Sequence, residues 1–402
     1  MFWRKRMTYR WITLFIGLGL HHLFAGSILS SQGIGLPYDN PNVRSMGMGF
    51  ASIANPSPSR IDAVNPAGMT QISTTTLTIQ SVFHTNKYKD TEYQSRSNYT
   101  NFDGFHFIVP FGKGLCAAFG LKPVTRIDYK IAFADQIESE EYTKSLKGSG
   151  GVNRFVINAA WAPVDRISIG VGVSYLMGRL IEESRNQFNA DSDYTSSHDR
   201  ISTHANGLNW TLGMQIRPYR SWTLGAIYSP SVHLDTQVDF YQIFSSSALD
   251  PGSLQYPSTY GIGISYTLLN TVIIAADFQK TQWEQLQING ADVLRTQNSH
   301  RISMGLEKIA SADPYANYLK RIPLRVGALI QPCYILDPNG ESLSEMWATF
   351  GFGFPVFHNT SHIDMMFGIG KRGSLEKNGL EEDLIRFGLS ITGGEKWFRR
   401  KY

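Results

Sequence analysis

The stretch "TYGIGISYTL", residues 259–268, gives the clearest indication of the fold class of this chain. Its large apolar side chains, at positions 260, 262, 264, 266 and 268, share one face, and Thr, Gly and Ser fill the other. Successive side chains of a β-strand point to opposite faces, so the pattern predicts a strand with one apolar face. "LNWTLGMQIR" (208–217) and "LIRFGLSI" (384–391) repeat the pattern. The sequence is therefore predicted to be all-β.

Segment length and spacing favour a membrane barrel over a soluble sandwich. Many of the alternating segments reach about ten residues, which is what a tilted strand needs to cross a bilayer. Short links such as "RPYRS" and "TLLN" alternate with long polar stretches at 86–101 and 184–200, which are predicted to be loops. The pattern predicts a closed transmembrane antiparallel β-barrel of about fourteen strands, because an open sheet edge in lipid would leave backbone groups unpaired. The predicted strands are 73–84, 102–110, 114–134, 151–162, 166–185, 202–217, 220–240, 258–268, 271–284, 298–309, 322–333, 345–355, 361–371 and 383–392.

Aromatic residues near the ends of these segments suit girdles at the two membrane interfaces. The girdle is predicted to contain Trp161, Tyr175, Trp222, Tyr228, Tyr266, Trp283, Trp347 and Trp397.

The first 27 residues have the order of a secretory signal peptide, with four basic residues, an apolar core and small residues near Ser27. We expect residues 1–27 to be cleaved and the chain to reach a bacterial outer membrane. Removal of the four basic residues leaves 37 − 4 = 33 basic against 33 acidic residues. A neutral mature chain gives no argument for a nucleic-acid partner.

Residues 28–72 precede the first strand and are too rich in Pro and Gly for a long helix. Apolar residues such as Met46 favour a hatch folded back into the lumen over a tail in water, because burial rewards such side chains. The segment ends in an Asn-Pro-Ala-Gly turn, in which Asn65 can accept hydrogen bonds, Pro66 fixes φ and Gly68 can adopt a positive φ. Residues 73–392 are the predicted barrel and 393–402 a periplasmic tail.

The stretches "RSMGMGFASIA", "RIDAVNPAGMT", "FGLKPVTRIDY" and "IPLRVGALIQP", in this order, resemble the FadL-like outer-membrane transporters of long-chain fatty acids and hydrocarbons. The resemblance covers most of the mature chain and implies a fourteen-stranded barrel with an N-terminal hatch. The hatch and turn residues that it implies are Met46, Gly47, Gly49, Asn65, Pro66 and Gly68.

The family releases its ligand sideways, beside a kinked third strand. Pro123 lies in the third predicted strand, where a proline deletes a ladder hydrogen bond, and Gly120 would ease a bend. Both are candidates for a lateral opening; the alternative is that the paired part of the strand ends there, at the membrane rim. Ligand-binding candidates are Phe188, Phe240 and Phe244 for an apolar path, and Arg126, Lys130 and Arg154 for a carboxylate head group.

The sequence contains no recognisable enzyme signature, metal-ligand spacing or cofactor motif. The first hypothesis is an outer-membrane channel for passive uptake of hydrophobic small molecules through the hatch-plugged barrel, with lateral release. Its expected partners are a hydrophobic small-molecule ligand, the outer-membrane bilayer and the outer-membrane assembly machinery, with no cofactor. The alternative is a non-enzymatic scaffold, or a barrel like those of the type IX secretion system, that binds partner proteins. A general porin is disfavoured by the apolar hatch segment.

Overall fold

A computed structural model describes residues 26–397, except for 39, 56, 58–61, 63, 138–139, 190, 243–244, 249–250, 294, 312, 314 and 357–360. The described residues form a closed antiparallel barrel that crosses the membrane fourteen times, as the alternation predicts. Within the described part of the chain, no helix is long and apolar enough to cross a membrane.

The strands are β1 (Leu36–Pro37), β2 (Thr75–Asp90), β3 (Gln94–Gly112), β4 (Leu115–Pro123), β5 (Thr125–Ile137), β6 (Glu140–Val164), β7 (Ile167–Phe188), β8 (Ser197–Ile216), β9 (Trp222–Ser229), β10 (Val232–Gln242), β11 (Ser245–Ala248), β12 (Gly252–Tyr256), β13 (Thr259–Leu268), β14 (Val272–Thr281), β15 (Gln287–Ile288), β16 (Ala291–Asp292), β17 (Ser299–Lys308), β18 (Leu324–Leu336), β19 (Ser342–Val356), β20 (Ser361–Ser374) and β21 (Leu380–Glu395). The helices are α1 (Val43–Met46), α2 (Leu375–Asn378) and short 3-10 turns at Ile28–Ser31, Pro66–Gln71, Trp283–Gln285 and Tyr318–Arg321.

Three of the fourteen crossings are built from two strands each, and a proline lies at each break. β4 ends at Pro123, Pro230 separates β9 from β10, and Pro257 separates β12 from β13. Proline lacks the N–H that a ladder needs, so a strand interrupts its pairing there. The barrel is closed by the first and last wall strands, β2 and β21, which pair from Thr75 and Glu395 to Asp90 and Leu380.

The wall carries its large apolar side chains outward. On β13, Ile262 is 63% exposed whereas Ser265 is 4% exposed. The same alternation continues around the barrel, as in β20, where Phe367 is exposed and Met366 is buried. Exposed Ile, Leu, Phe and Met side chains on a closed sheet form the lipid-facing surface of a membrane barrel.

The predicted aromatic girdle is wrong at two positions. Trp161, Trp222 and Trp397 are exposed, but Trp283 and Trp347 are each only 3% exposed. Strand alternation explains Trp347: its neighbour on β19 takes the outward position, which directs the indole into the lumen. Trp283 lies in a 3-10 turn and stacks inside the barrel on the ring of Tyr334, with centroids 4.2 Å apart.

The long polar stretches are mostly strands rather than loops. β2 continues to Asp90 and β3 begins at Gln94, and β7 and β8 likewise include most of residues 184–200. β6 has 25 residues, far more than the roughly 9–11 that a crossing needs. The excess extends the hairpins beyond the bilayer, where polar side chains are solvated while the backbones remain paired. For this reason the strands predicted from hydropathy stop short of the outer ends of these hairpins.

The described residues of the N-terminal segment, between 26 and 72, lie inside the barrel. Met46, Met48 and Val43 are fully buried, and Phe50 is 3% exposed. α1 packs with Val82, Leu329, Trp347, Met366 and Leu384 of the wall. Nearer the outer end, Leu29 and Ile34 join a larger apolar cluster that includes Leu176, Leu234, Trp283 and Tyr334.

Candidate functional site

A buried ion-pair network joins the N-terminal segment to the wall. The guanidinium of Arg44 on α1 donates to both carboxylate oxygens of Glu307 on β17, with Nη2 2.5 Å from Oε2. Glu307 also accepts from Nε of Arg325 at 2.8 Å, and Nη1 of Arg325 donates to Asp364 at 2.8 Å. All four side chains are at most 5% exposed. Such a network fixes the segment strongly, because loss of one partner leaves a buried charge uncompensated.

Close backbone contacts surround the predicted hatch residues Met46, Gly47 and Gly49. Gly49 has a φ of 63°, and a Cβ there would collide with the carbonyl oxygens of Ala328 and Met304. A Cβ on Gly47 would lie 3.0 Å from Cα of Gly351. Gly49 N–H donates to Oγ1 of Thr349 at 2.9 Å. The Gly residues of "MGMG" therefore allow the segment to contact the wall backbone directly.

The Asn-Pro-Ala-Gly turn caps a 3-10 helix and attaches it to the wall. Asn65 Oδ1 accepts from Ala67 N–H at 3.0 Å, and Pro66 occupies the first helical turn. Asn65 Nδ2 donates to the carbonyls of Ile53 at 2.9 Å and Met214 at 3.2 Å. The expectation of a positive φ at Gly68 is wrong, because Gly68 lies within the 3-10 helix and is not among the described residues with a positive φ.

A second group of charges lies nearer the outer end of the lumen. Arg372 donates to Glu345 at 2.9 Å and to Glu382 at 2.6 Å, and all three are nearly fully buried. Ser27 Oγ donates to Glu382 at 2.5 Å. The first described residues are therefore attached to β21, at the opposite end of the segment from the Asn65 turn.

The wall has a seam between β3 and β5. β3 pairs with β4 only from Phe105 to Gly112. Within the described chain, Gln94–Gly104 pairs with β2 alone. β5 pairs with β6 along its length, but on its other side only Thr125 and Arg126 are paired, with β1 of the N-terminal segment. The third crossing consists of β4 and β5. It is paired with β3 through β4, and it separates from β3 at the break that follows Pro123.

The two residues predicted to mark a lateral opening lie at this break. Pro123 is the last residue of β4. Gly120 packs directly against the ring of His106, which leaves no room for a larger side chain. Across the seam, Arg126 Nε donates to Oδ1 of Asn101 on β3 at 3.1 Å.

The remaining ligand candidates do not converge. Phe188 lies at the outer tip of β7, stacked with Tyr142 at a centroid distance of 4.9 Å. Lys130 is exposed on β5, and Arg154 pairs in register with Lys122 on β4. Phe240 is partly buried on β10, and Phe244 lies outside the described residues.

Two lumenal cavities are small. One, between Phe50, Arg301, Trp283 and Tyr334, holds about 80 Å³, and one beside Tyr38, Arg126 and Arg372 holds about 30 Å³. Small-molecule sites usually hold about 300–1,000 Å³. A larger apolar depression of about 520 Å³ lies on the lipid-facing side, between Trp161, Ile169 and Met214. The described residues contain no cluster of three or more His, Cys, Asp or Glu side chains suited to a metal ion.

Sequence reasoning missed Arg44, Glu307, Arg325 and Asp364. Glu307, Arg325 and Asp364 lie on the inward face of strands whose alternation is visible in the sequence. A charged residue on the polar face of such a strand was the available signal for a lumenal charge. Their partners were not visible, because Arg44 and Glu307 are 263 positions apart.

Comparisons with known proteins agree with the fold. A family model described as BamG matches residues 11–402. The CymD monoaromatic hydrocarbon channel has a TM-score of 0.59 and 12% identity, over 90% of this chain and 99% of that one. The Ralstonia pickettii toluene transporter TbuX has a TM-score of 0.59 and 13% identity, over 89% and 99%. A Pseudomonas aeruginosa FadL homologue has a TM-score of 0.59 and 11% identity, over 89% and 99%. No curated protein matches the sequence. The fold is therefore that of the FadL-type barrels, as the resemblance implied.

Proposed function

The chain belongs to the BamG family, and from that premise we propose that it acts as a closed outer-membrane barrel that holds partner proteins of the outer-membrane assembly machinery. The Bam designation of the family points to that machinery. The observation that carries the proposal is the attachment of the N-terminal segment inside the lumen by the buried pair of Arg44 and Glu307.

The contents of the lumen favour a structural role over a permanently open path. The apolar side chains of the segment are packed against the wall, and the two lumenal cavities described above are below the usual size of a ligand site. The hairpins around β6 and β7 extend beyond the bilayer and present paired backbone and polar side chains to other proteins.

Purification from native outer membranes tests this proposal. A C-terminally tagged chain is isolated in mild detergent and its companions are quantified by mass spectrometry. We expect subunits of the assembly machinery in roughly stoichiometric amounts, and lower levels of other outer-membrane barrels when this chain is depleted. A chain that purifies alone, with other barrels at normal levels after its depletion, would contradict the proposal.

A second candidate function is passive uptake of long-chain fatty acids or hydrocarbons with lateral release. The observation that favours it is the seam between β3 and β5 beside Pro123, together with the fold shared with a hydrocarbon channel and a toluene transporter. In this reading residues 28–72 are a hatch that moves, and Gly120 and Pro123 flank the exit.

Retained ligand and uptake distinguish the two functions. Mass spectrometry of the purified barrel should detect a specific fatty acid or hydrocarbon that is lost when residues 28–72 are deleted from a barrel that still folds. Pro123→Ala should then change uptake in cells. An empty barrel, with uptake unchanged in cells that lack the chain, would exclude transport.

We also propose that residues 1–27 act as an export signal that is removed near Ser27. The packing of Leu29 and Ser30 inside the barrel supports a mature chain that begins close to these residues. Mass determination of the N-terminal peptide of the outer-membrane form checks the position of the cut.

A further inference from the structure

The upper part of β5 has a free edge. Lys130, Ala132 and Ala134 pair with β6 on one side only, and no described strand pairs with their other side. All three are exposed. Unpaired edges of this length are usually shortened, charged, interrupted by proline or covered, because they recruit other strands.

The direction of the unpaired groups follows from Asp128. Its N–H donates to Oγ of Ser30 at 3.0 Å, so its backbone groups point away from β6 and toward the seam. In an antiparallel strand every second residue points its N–H and C=O to the same side. Lys130, Ala132 and Ala134 therefore direct three donors and three acceptors into the seam. Gln136 is excluded from this set, because Asp135 already accepts from its N–H at 2.9 Å.

The part of the seam that adjoins this edge is occupied by the backbone of the chain itself. At its lower end the N-terminal segment fills it, and Ser30 Oγ accepts from the N–H of Asp128 on β5 at 3.0 Å. Below that, β1 pairs with β5 as a short antiparallel strand. The free edge thus continues an interface that an extended backbone already occupies.

We propose that the edge of β5 at Lys130–Ala134 binds an extended strand of a partner protein by backbone pairing. The chemistry identifies the partner as a strand, because only an extended backbone matches alternating donors and acceptors in one line. The small side chains of Ala132 and Ala134 allow close approach. This inference rests on the proposed function as a partner-holding barrel and names where the partner is held.

Amide hydrogen exchange of residues 129–137, read by mass spectrometry, tests the inference on the mature chain. In the purified barrel the amides of Lys130, Ala132 and Ala134 should exchange quickly, whereas those bonded to β6 exchange slowly. In native outer membranes we expect these three amides to exchange at least about tenfold more slowly. Equal fast exchange in both preparations would overturn the inference.

Two variants make the test specific. Ala132→Pro removes a donor from the free edge while leaving the pairing with β6 intact, and it should abolish the added protection. Ala132→Val keeps the donor and should preserve it. Protection that persists in Ala132→Pro would contradict backbone pairing at this edge.

Further outcomes separate the possible occupants and the two proposals. Protection that is already present in the purified barrel would assign the edge to the chain itself. An oxidised dimer of Ala132→Cys in native membranes would assign it to a second copy, since Cys116 and Cys333 are buried. Co-purification of the assembly machinery without added protection would overturn this inference and leave the proposed function standing.

Discussion

Arg44 and Glu307 form a bidentate ion pair inside the barrel although 263 positions separate them in the sequence. Arg44 belongs to the N-terminal segment. Glu307 belongs to the wall strand β17 and also forms an ion pair with Arg325. The contact therefore joins the segment to the barrel through charge, in addition to the apolar packing of α1 against the wall.

Arg44→Met is expected to destabilise the barrel by about 3–5 kcal/mol, because it leaves the buried carboxylate of Glu307 with one cation instead of two. Urea unfolding followed by the electrophoretic mobility of the folded barrel measures the change. Arg185→Met is the matched control, since Arg185 is 59% exposed and its pair with Glu183 should contribute less than about 1 kcal/mol. Equal effects of the two variants would show that the buried pair contributes little.

Gly49→Ala should prevent the segment from seating, because the new Cβ meets two wall carbonyls and the positive φ disfavours alanine by about 1–2 kcal/mol. Limited proteolysis should then cut within the segment while the wall remains resistant. Gly393→Ala, at a position with open space around it, should behave like the unchanged chain. An intact segment in Gly49→Ala would disprove the close contact.

Asn65→Ala and Asn65→Asp separate the two roles of this side chain. Asn65→Ala loses both the helix cap and the donors to the wall, and should cost about 1–2 kcal/mol for the cap alone. Asn65→Asp keeps the acceptor for Ala67 N–H but loses the donors to Ile53 and Met214. Hydrogen exchange of residues 66–71 should be fastest in Asn65→Ala. In Asn65→Asp its rate should lie between those of Asn65→Ala and the unchanged chain. The same exchange in both variants would mean that the cap makes no separate contribution.

Ile262→Arg should impair membrane assembly, because Ile262 is exposed on the lipid-facing side and a charged side chain there costs up to about 2–4 kcal/mol. The yield of folded barrel in the outer membrane measures this. Gln187→Arg, on the part of β7 that extends beyond the bilayer, should assemble normally. Normal assembly of Ile262→Arg would place that face outside the bilayer.

The sequence predicted the features that depend on local periodicity. Alternation like that of residues 259–268 sufficed for the fold class and for the number of crossings. The prolines at 123 and 230 lay within predicted strands, and both mark breaks in the wall. The resemblance located the turn at Asn65, although it did not indicate that the side chain bonds to β8 through Met214.

Features that depend on three-dimensional proximity could not be predicted. Trp347 lies near a strand end, as girdle residues do, and only the exact pairing parity shows that it faces the lumen. The pairing of Arg325 with Asp364 requires knowledge of the registers of β18, β19 and β20, because the two side chains meet across the intervening strand β19. Polar composition likewise concealed the outer ends of β6 and β7, because backbone pairing beyond the membrane does not need apolar side chains.

The pairing of β2 with β21 sets the order of events in biogenesis. The wall becomes a cylinder only when β21, which ends at Glu395, meets β2, so closure must wait until β21 has been exported. The segment that precedes β2 must be enclosed by then, because its contacts with β8, β17 and β19 all lie within the finished cylinder. Closure therefore follows the entry of the segment, and it encloses the segment within the wall.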